Sequence, residues 1–262
     1  MIVSLVLAVI GIIALGFGVY YRGWIHDQFV SSSHEDTQVL FMPLESDLHD
    51  EVTDTDMYFS LGLYATNCEP GFVNTTRPNG VAGDVYYNPC ATSTHRIETT
   101  ARYTGSFTFM VWARFDDVSD QAVLFHSQAP TFQTSWDPQA DGLRPYLMQT
   151  TAPDVEAGFA GDFNQSELAK SGAATAESGV WRHYAGTFSG GTWSVYVNGT
   201  LSGTQASVDT AWDSQQHGTV QVGGAHAIAS ALPLVGNLWR ARVYNTALSE
   251  AQILEIYDSD KV

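Results

Sequence analysis

The sequence predicts an all-β protein: an antiparallel sandwich of two sheets, with one apolar helix before it and one short helix after it. Three observations carry this. Short apolar runs alternate with a period of two and are separated by Gly, Asn, Asp and Ser. Charged residues are only 15% of the 262, so polar surface must come from uncharged side chains, as in β-rich extracytoplasmic domains. The run from Ile2 to Tyr21 contains no charge at all. With 11 basic and 28 acidic side chains the net charge is -17, which excludes nucleic-acid binding as the main task.

The elements follow in order. Residues 1–22 predict a transmembrane anchor, because about 20 residues at 1.5 Å each cross the hydrocarbon core. Tyr20, Tyr21, Arg22 and Trp24 supply an interfacial belt at its end. A cleaved signal peptide is the alternative, but no basic residue precedes the apolar run. Gly11, Ala14 and Gly18 put small residues on one helix face, where a second membrane helix can approach closely. Residues 23–36 read as a polar linker and residues 37–262 as the sandwich. Its strand-like runs are QVLFMPL from Gln38, SFTFMVWARF from Ser106, AVLFH from Ala122, WRHYAGTF from Trp181, TWSVYVN from Thr192, then 219–222 and 238–244. A helix is predicted near Ser249 to Tyr257, capped by Ser249, with Ile253, Leu254 and Tyr257 as its apolar face. Residues 60–95 read as an irregular insertion, and 127–179 as a second irregular stretch.

Four of these runs resemble the laminin-G-like jelly-roll family, within the concanavalin A-like lectin/glucanase superfamily. SFTFMVWARF from Ser106 resembles its "SFTISAWV" strand, and WRHYAGTF from Trp181 its "WHHVAGTY" strand. GTWSVYVNG from Gly191 is similar to "G-x-x-x-x-YVDG", and VGNLWRARVYNTALS from Val235 to "F-x-G-x-IDDVRIYNRALS". The resemblance runs from about Gln38 to Asp258 and implies a jelly-roll sandwich. Trp239 and Arg240 stand where the family carries paired aspartates. The pair Asn198-Gly199 suits a tight hairpin turn. Phe107, Phe109, Trp112, Trp181, Trp193 and Trp239 are expected to fill the space between the sheets.

The chemistry-bearing motifs are few. No E-x-D-x-E strand, G-x-S-x-G elbow, P-loop or H-E-x-x-H occurs, so no catalytic residue is assigned and a non-enzyme is expected. Asp47, Asp50, Asp54 and Asp56 form an acidic stretch whose oxygens suit calcium; a solvated loop is the alternative. Cys68 and Cys90, the two cysteines, predict a disulfide in the irregular insertion, with two reduced thiols as the alternative. Trp136, Tyr146 and Trp212 are candidate glycan contacts.

These readings predict a non-catalytic, single-pass membrane protein whose C-terminal domain is periplasmic or extracellular and whose N-terminus is cytoplasmic. Arg22 taken alone gives the opposite orientation; the cysteines and the domain type outweigh it. The first expectation is an accessory subunit of a larger membrane complex, photosynthetic or respiratory, with integral membrane subunits and the bilayer as partners. The second is a surface carbohydrate-binding or adhesion protein, and the third a divergent glycoside hydrolase. No cofactor is required, and calcium is the one ion the sequence suggests.

Overall fold

A computed structural model of the chain describes residues 37–60, 68–91, 95–99, 101, 103, 105–127, 144–150, 154–160, 169–171, 176–206, 220–224 and 232–262. The anchor and linker, with Gly11, Ala14, Gly18, Tyr20, Tyr21, Arg22 and Trp24, lie outside the described residues. Among the described residues no helix is long and apolar enough to cross a membrane.

The strands are β1 (Gln38–Met42), β2 (His49–Asp50), β3 (Thr55–Asp56), β4 (Tyr58–Ser60), β5 (Gly71–Thr76), β6 (Ala82–Asn88), β7 (Arg96–Glu98), β8 (Phe107–Phe115) and β9 (Ala122–Ser127). They continue as β10 (Arg144–Gln149), β11 (Val155–Ala160), β12 (Ala169–Lys170), β13 (Arg182–Ser189), β14 (Thr192–Val197), β15 (Thr200–Ala206), β16 (Val220–Val222) and β17 (Gly236–Tyr244). One helix, α1 (Glu250–Asp260), follows. The first sheet has the order β15-β14-β13-β8-β17-β6-β5, with β1 also paired to β17. The second has the order β12-β11-β10-β9-β16-β7-β4, and β2-β3 form a separate hairpin. Every pairing is antiparallel.

Alternation along β8 sends Phe107, Phe109, Val111, Ala113 and Phe115 into the core between the sheets. Phe109 stacks on Phe125 of β9 at 5.2 Å between ring centroids, joining the two sheets. Trp193 meets Phe107 at 5.4 Å and Phe188 at 5.0 Å. Three of the aromatics expected there are elsewhere. Trp112 and Trp239 lie on the outer face of the first sheet, in a cluster with Val85, against which Val73, Trp181 and Tyr257 pack. The cause is parity: Trp112 is an odd number of residues from its core-facing neighbours, and Trp239 is in register with it.

That outer face is dry because α1 covers it, with Tyr257 stacked on Trp112. Ser249 caps the helix in a reciprocal capping box with Gln252, and its buried stripe is Ile253, Ile256 and Asp260. Leu254, predicted to face inward, is 41% exposed. The hairpin β5–β6 corrects the reading of 60–95 as irregular: β6 pairs with β17, so the hairpin extends the first sheet at its edge. It is hidden from a pattern search because its apolar residues face both ways: Tyr86 and Phe72 turn to the core between the sheets, Val85 and half-buried Val73 to the outer aromatic cluster, which leaves no clean alternation. Likewise β10, β11 and β12 occupy part of the stretch 127–179 that reads as irregular.

Two turn positions follow the expected chemistry. Asn198 and Gly199 both hold positive φ, 52° and 80°, closing β14 onto β15. At Gly236, φ is 142° and a Cβ would stand 2.2 Å from the Arg114 carbonyl oxygen, so only glycine starts β17 there.

Candidate functional site

The outward face of the second sheet carries polar side chains brought into one row by register. Glu98 on β7 is opposite Gln221 on β16, Gln221 is opposite His126 on β9, and His126 is opposite Tyr146 on β10. Ile97, Val220, Val222, Phe125 and Leu147, their immediate chain neighbours, point into the core, so the row points away from it. Arg96 and Glu156 share this face, each two residues from a position in the row's register. All six side chains are buried, with Gln221 at 0% and Tyr146, the most open, at 8% exposure.

The row is tied together by hydrogen bonds. Arg96 Nε donates to Glu98 Oε1 at 2.6 Å, and its Nη2 stands at 2.6 Å from the same oxygen. Gln221 Nε2 donates to both carboxylate oxygens of Glu98, at 3.1 and 3.2 Å. The Tyr146 hydroxyl donates to Glu156 Oε1 at 3.2 Å. Val123, Tyr146 and Met148 form an apolar cluster, with Leu232 packed against it. Carboxylate, amide, imidazole and phenol beside an apolar floor form a set able to bind hydroxyl groups that are both donors and acceptors.

Of the glycan candidates, Tyr146 is in this row, and Trp136 and Trp212 lie outside the described residues. Arg96, Glu98, His126, Glu156 and Gln221 were not singled out as glycan contacts. The available signal is a three-residue alternation of polar and apolar side chains in R-I-E, V-Q-V and V-E-A, too short to stand out.

The acidic stretch does not converge on an ion. Asp50 is buried and turned inward, where Oδ1 accepts from the backbone N–H groups of Phe41 and Val52 and Oδ2 from the Thr53 hydroxyl at 2.5 Å. Asp54 and Asp56 face His49 instead, at 3.3 and 3.1 Å, and the Asp56 hydrogen bond raises the His49 pKa. Asp47 accepts from the His49 backbone. Among the described residues no group of three or more His, Cys, Asp or Glu side chains is placed to hold a metal ion. Asp47, Asp54 and Asp56 are taken up by His49 and Asp50 by Phe41, Val52 and Thr53, which is why spacing along the chain does not become a ligand set.

Cys68 and Cys90 are joined, with Cα atoms 5.7 Å apart. They stand just outside the open end of β5–β6, so the bridge closes the base of that hairpin. Cross-linking across 22 residues is worth roughly 3 kcal/mol in the chain-entropy model. The carbonyl oxygen of Cys68 is 3.1 Å from Nε2 of buried His95.

Comparison with known proteins agrees with this architecture. A laminin-G family model, described as the concanavalin A-like lectin/glucanases superfamily, matches residues 90–254. No curated protein matches the chain. Among solved structures, the chain is similar to domain 4 of AbnA, a GH43 extracellular arabinanase from Geobacillus stearothermophilus, in complex with arabinotriose. The two are 12% identical with a TM-score of 0.58, over 84% of this chain and 98% of that one. It is also similar to the Trypanosoma rangeli sialidase, 13% identical, TM-score 0.55, covering 87% of this chain and 33% of that one. The binding domain of botulinum neurotoxin serotype D is 15% identical, TM-score 0.54, with 87% and 53% covered. The chain therefore spans about a third of the sialidase and half of the toxin chain. At these identities the likeness is one of fold, and by the family match the chain belongs to the concanavalin A-like lectin/glucanases superfamily.

Proposed function

We propose that this chain is a non-catalytic glycan-binding module, held at a membrane by its N-terminal apolar run and facing the periplasm or the cell exterior. The observation that carries the reading is the concanavalin A-like sandwich, whose fold is shared by a domain solved with arabinotriose; the row Glu98–Gln221–His126–Tyr146, covered at 8% exposure or less, supplies the side chains to test. Two carboxylates support a neutral saccharide over an acidic one. The arabinotriose held by the domain of similar fold makes a neutral pentose oligomer the first ligand to try.

The same geometry argues against hydrolysis at this face. Glu98 on β7 and Glu156 on β11 are separated by β16, β9 and β10. Four strand spacings of about 4.8 Å put their backbones roughly 19 Å apart, against the 5 to 9.5 Å that paired glycosidase carboxylates need.

The test is calorimetric titration of the full-length protein in detergent with arabinotriose and neutral hexose trimers. His126→Ala and Tyr146→Phe are each expected to weaken binding by about tenfold, equivalent to about 1.4 kcal/mol. Glu98 is left intact because removing it would strand the buried Arg96 charge. Variants that lose stability but bind as before would make the row an internal network and overturn the reading.

An accessory subunit of a membrane complex is the second reading, favoured by the uncharged run Ile2–Tyr21 and its Gly11, Ala14 and Gly18 face. It predicts stoichiometric membrane subunits co-purifying in mild detergent, lost on Gly11→Leu with Gly18→Leu, and no saccharide bound.

A further inference from the structure

The outer face of the first sheet carries an arginine unlike the five others whose side chains are described. Arg77 pairs with Glu45, Arg96 with Glu98, Arg182 with Glu177, and Arg240 and Arg242 with Asp260. Arg114 on β8 has no carboxylate within ion-pair distance among the described residues. Its Nε donates to the Asn237 side-chain amide oxygen Oδ1 at 3.1 Å, and its Nη1 to the Thr75 hydroxyl at 3.3 Å. Both partners are neutral. Nη2 makes no hydrogen bond and is not among the buried, unpartnered atoms, so this edge of the guanidinium reaches solvent. In a chain of net charge -17 with two lysines, a half-buried cation left without a counter-ion is conspicuous on energetic grounds.

Its neighbours make a platform. Asn237 is in register with Tyr87 on one side and Arg114 on the other. Trp181 leads into β13 beside Arg114, its ring centre 5.7 Å from the guanidinium carbon. The Trp181 indole N–H donates to the Thr76 carbonyl at 3.0 Å, which fixes the ring against the hairpin β5–β6. At the other end the Tyr87 hydroxyl donates to Asp116 Oδ2 at 3.0 Å. Tyr87, Thr75, Arg114 and Trp181 are all half-exposed, and Asp116 is open to solvent.

We propose that Arg114, Trp181, Tyr87 and Thr75 form a second ligand site, for a saccharide that bears a carboxylate. The free edge of the guanidinium takes the carboxylate. The indole face takes the C–H surface of a sugar ring. The Tyr87 oxygen and the Asp116 carboxylate accept hydroxyl protons from the same ligand. The acidity of the whole molecule does not prevent this, since at 0.1 M salt charges beyond about 10 Å are screened while the contact at Arg114 is not. This site is on the opposite sheet from the row of Glu98 and Tyr146, and does not depend on that row binding anything.

The experiment titrates the full-length protein in detergent with trigalacturonate, a hyaluronan tetrasaccharide and sialyllactose, and with methyl-esterified trigalacturonate as the neutral control. Binding is read by calorimetry and by the indole N–H shift of Trp181. At least one carboxylated sugar is expected to bind, with the ester at least tenfold weaker than its acid if that sugar is trigalacturonate. Arg114→Gln keeps an amide to meet Asn237 and Thr75 and is expected to weaken binding at least tenfold. Arg182→Gln, which breaks a neighbouring paired arginine, is expected to change it by less than twofold. Trp181→Leu gives an independent loss if Arg114→Gln proves unstable. Failure of all three acids to bind, or equal binding by Arg114→Gln or by Trp181→Leu, overturns the site. Loss of neutral-sugar binding in Tyr146→Phe with acid binding intact shows the two sites to be separate.

Discussion

Asp260→Ala is expected to cost about 3–5 kcal/mol of folding stability, the range for removing one partner of a buried ion pair. Asp260 ends α1 with its side chain at 0% exposure. Its Oδ1 accepts from Arg240 Nη1 at 2.6 Å and Arg242 Nη2 at 2.7 Å; its Oδ2 accepts from Arg242 Nη1 at 2.8 Å and the Trp112 indole N–H at 2.9 Å. Burial alone would push this carboxyl up, and Arg242, then Arg240, more than reverse it, holding the pKa at about 2. The alanine strands the Arg242 guanidinium in the dry layer under α1. The depressed pKa means that the stabilisation is present above about pH 3.8 and is lost as the pH falls through about 2. Urea unfolding at pH 7 measures the loss, and Asp260→Asn, which keeps an acceptor, is expected to fall between alanine and wild type. A loss below 1 kcal/mol for the alanine would show that the apolar contacts of Ile253 and Ile256 hold the helix unaided.

Stability is also expected to drop by roughly 3 kcal/mol between pH 7 and pH 4 through His183 alone. His183 on β13 is fully buried between the sheet and α1, 5.4 Å from the Trp112 ring and 5.9 Å from that of Tyr257. Neither ring nitrogen has a hydrogen-bond partner among the described residues. Burial lowers its pKa from 6.5 to about 4; Asp260 opposes the shift and Arg242 adds to it. Between these values the unfolded chain binds a proton that the folded chain refuses, so stability rises with pH across the window. The contribution is complete above pH 6.5 and lost as the pH falls toward 4. His183→Phe keeps the ring packing and removes the titration. Its stability is expected to equal or exceed wild type at pH 7, with a shallower decline toward pH 4. Parallel pH profiles for the two proteins would exclude His183 as the source.

Much of the fold is legible in the chain because one face of each long strand meets a single apolar core. Phe107 to Phe115 and Thr192 to Val197 alternate cleanly for this reason. The strands that do not read as strands have local causes. In β11 the core-facing Ala157 sits against Gly186 of β13, where a Cβ on the glycine would be 3.3 Å away. Close approach of the sheets demands small residues there, and small residues give a weak apolar signal. Hairpin β5–β6 extends the first sheet at its edge and buries apolar residues on both faces, Tyr86 in the core and Val85 in the outer aromatic cluster, so it shows no one-sided alternation.

Sequence alone determined the sandwich, the position and cap of the C-terminal helix and the Asn198-Gly199 turn, since each rests on neighbours within a few residues or on strict period-two alternation; that Cys68 and Cys90 are joined was decided by the fold, which brings their Cα atoms to 5.7 Å. Tertiary structure alone decided the rest. Gln221 and Glu98 are 123 residues apart and Trp112 and Asp260 148 apart, yet each pair is within hydrogen-bond distance. The binding row, the clamp under α1 and the unpaired charge of Arg114 exist only through strand order and register, which fix which distant residues face each other and which face water.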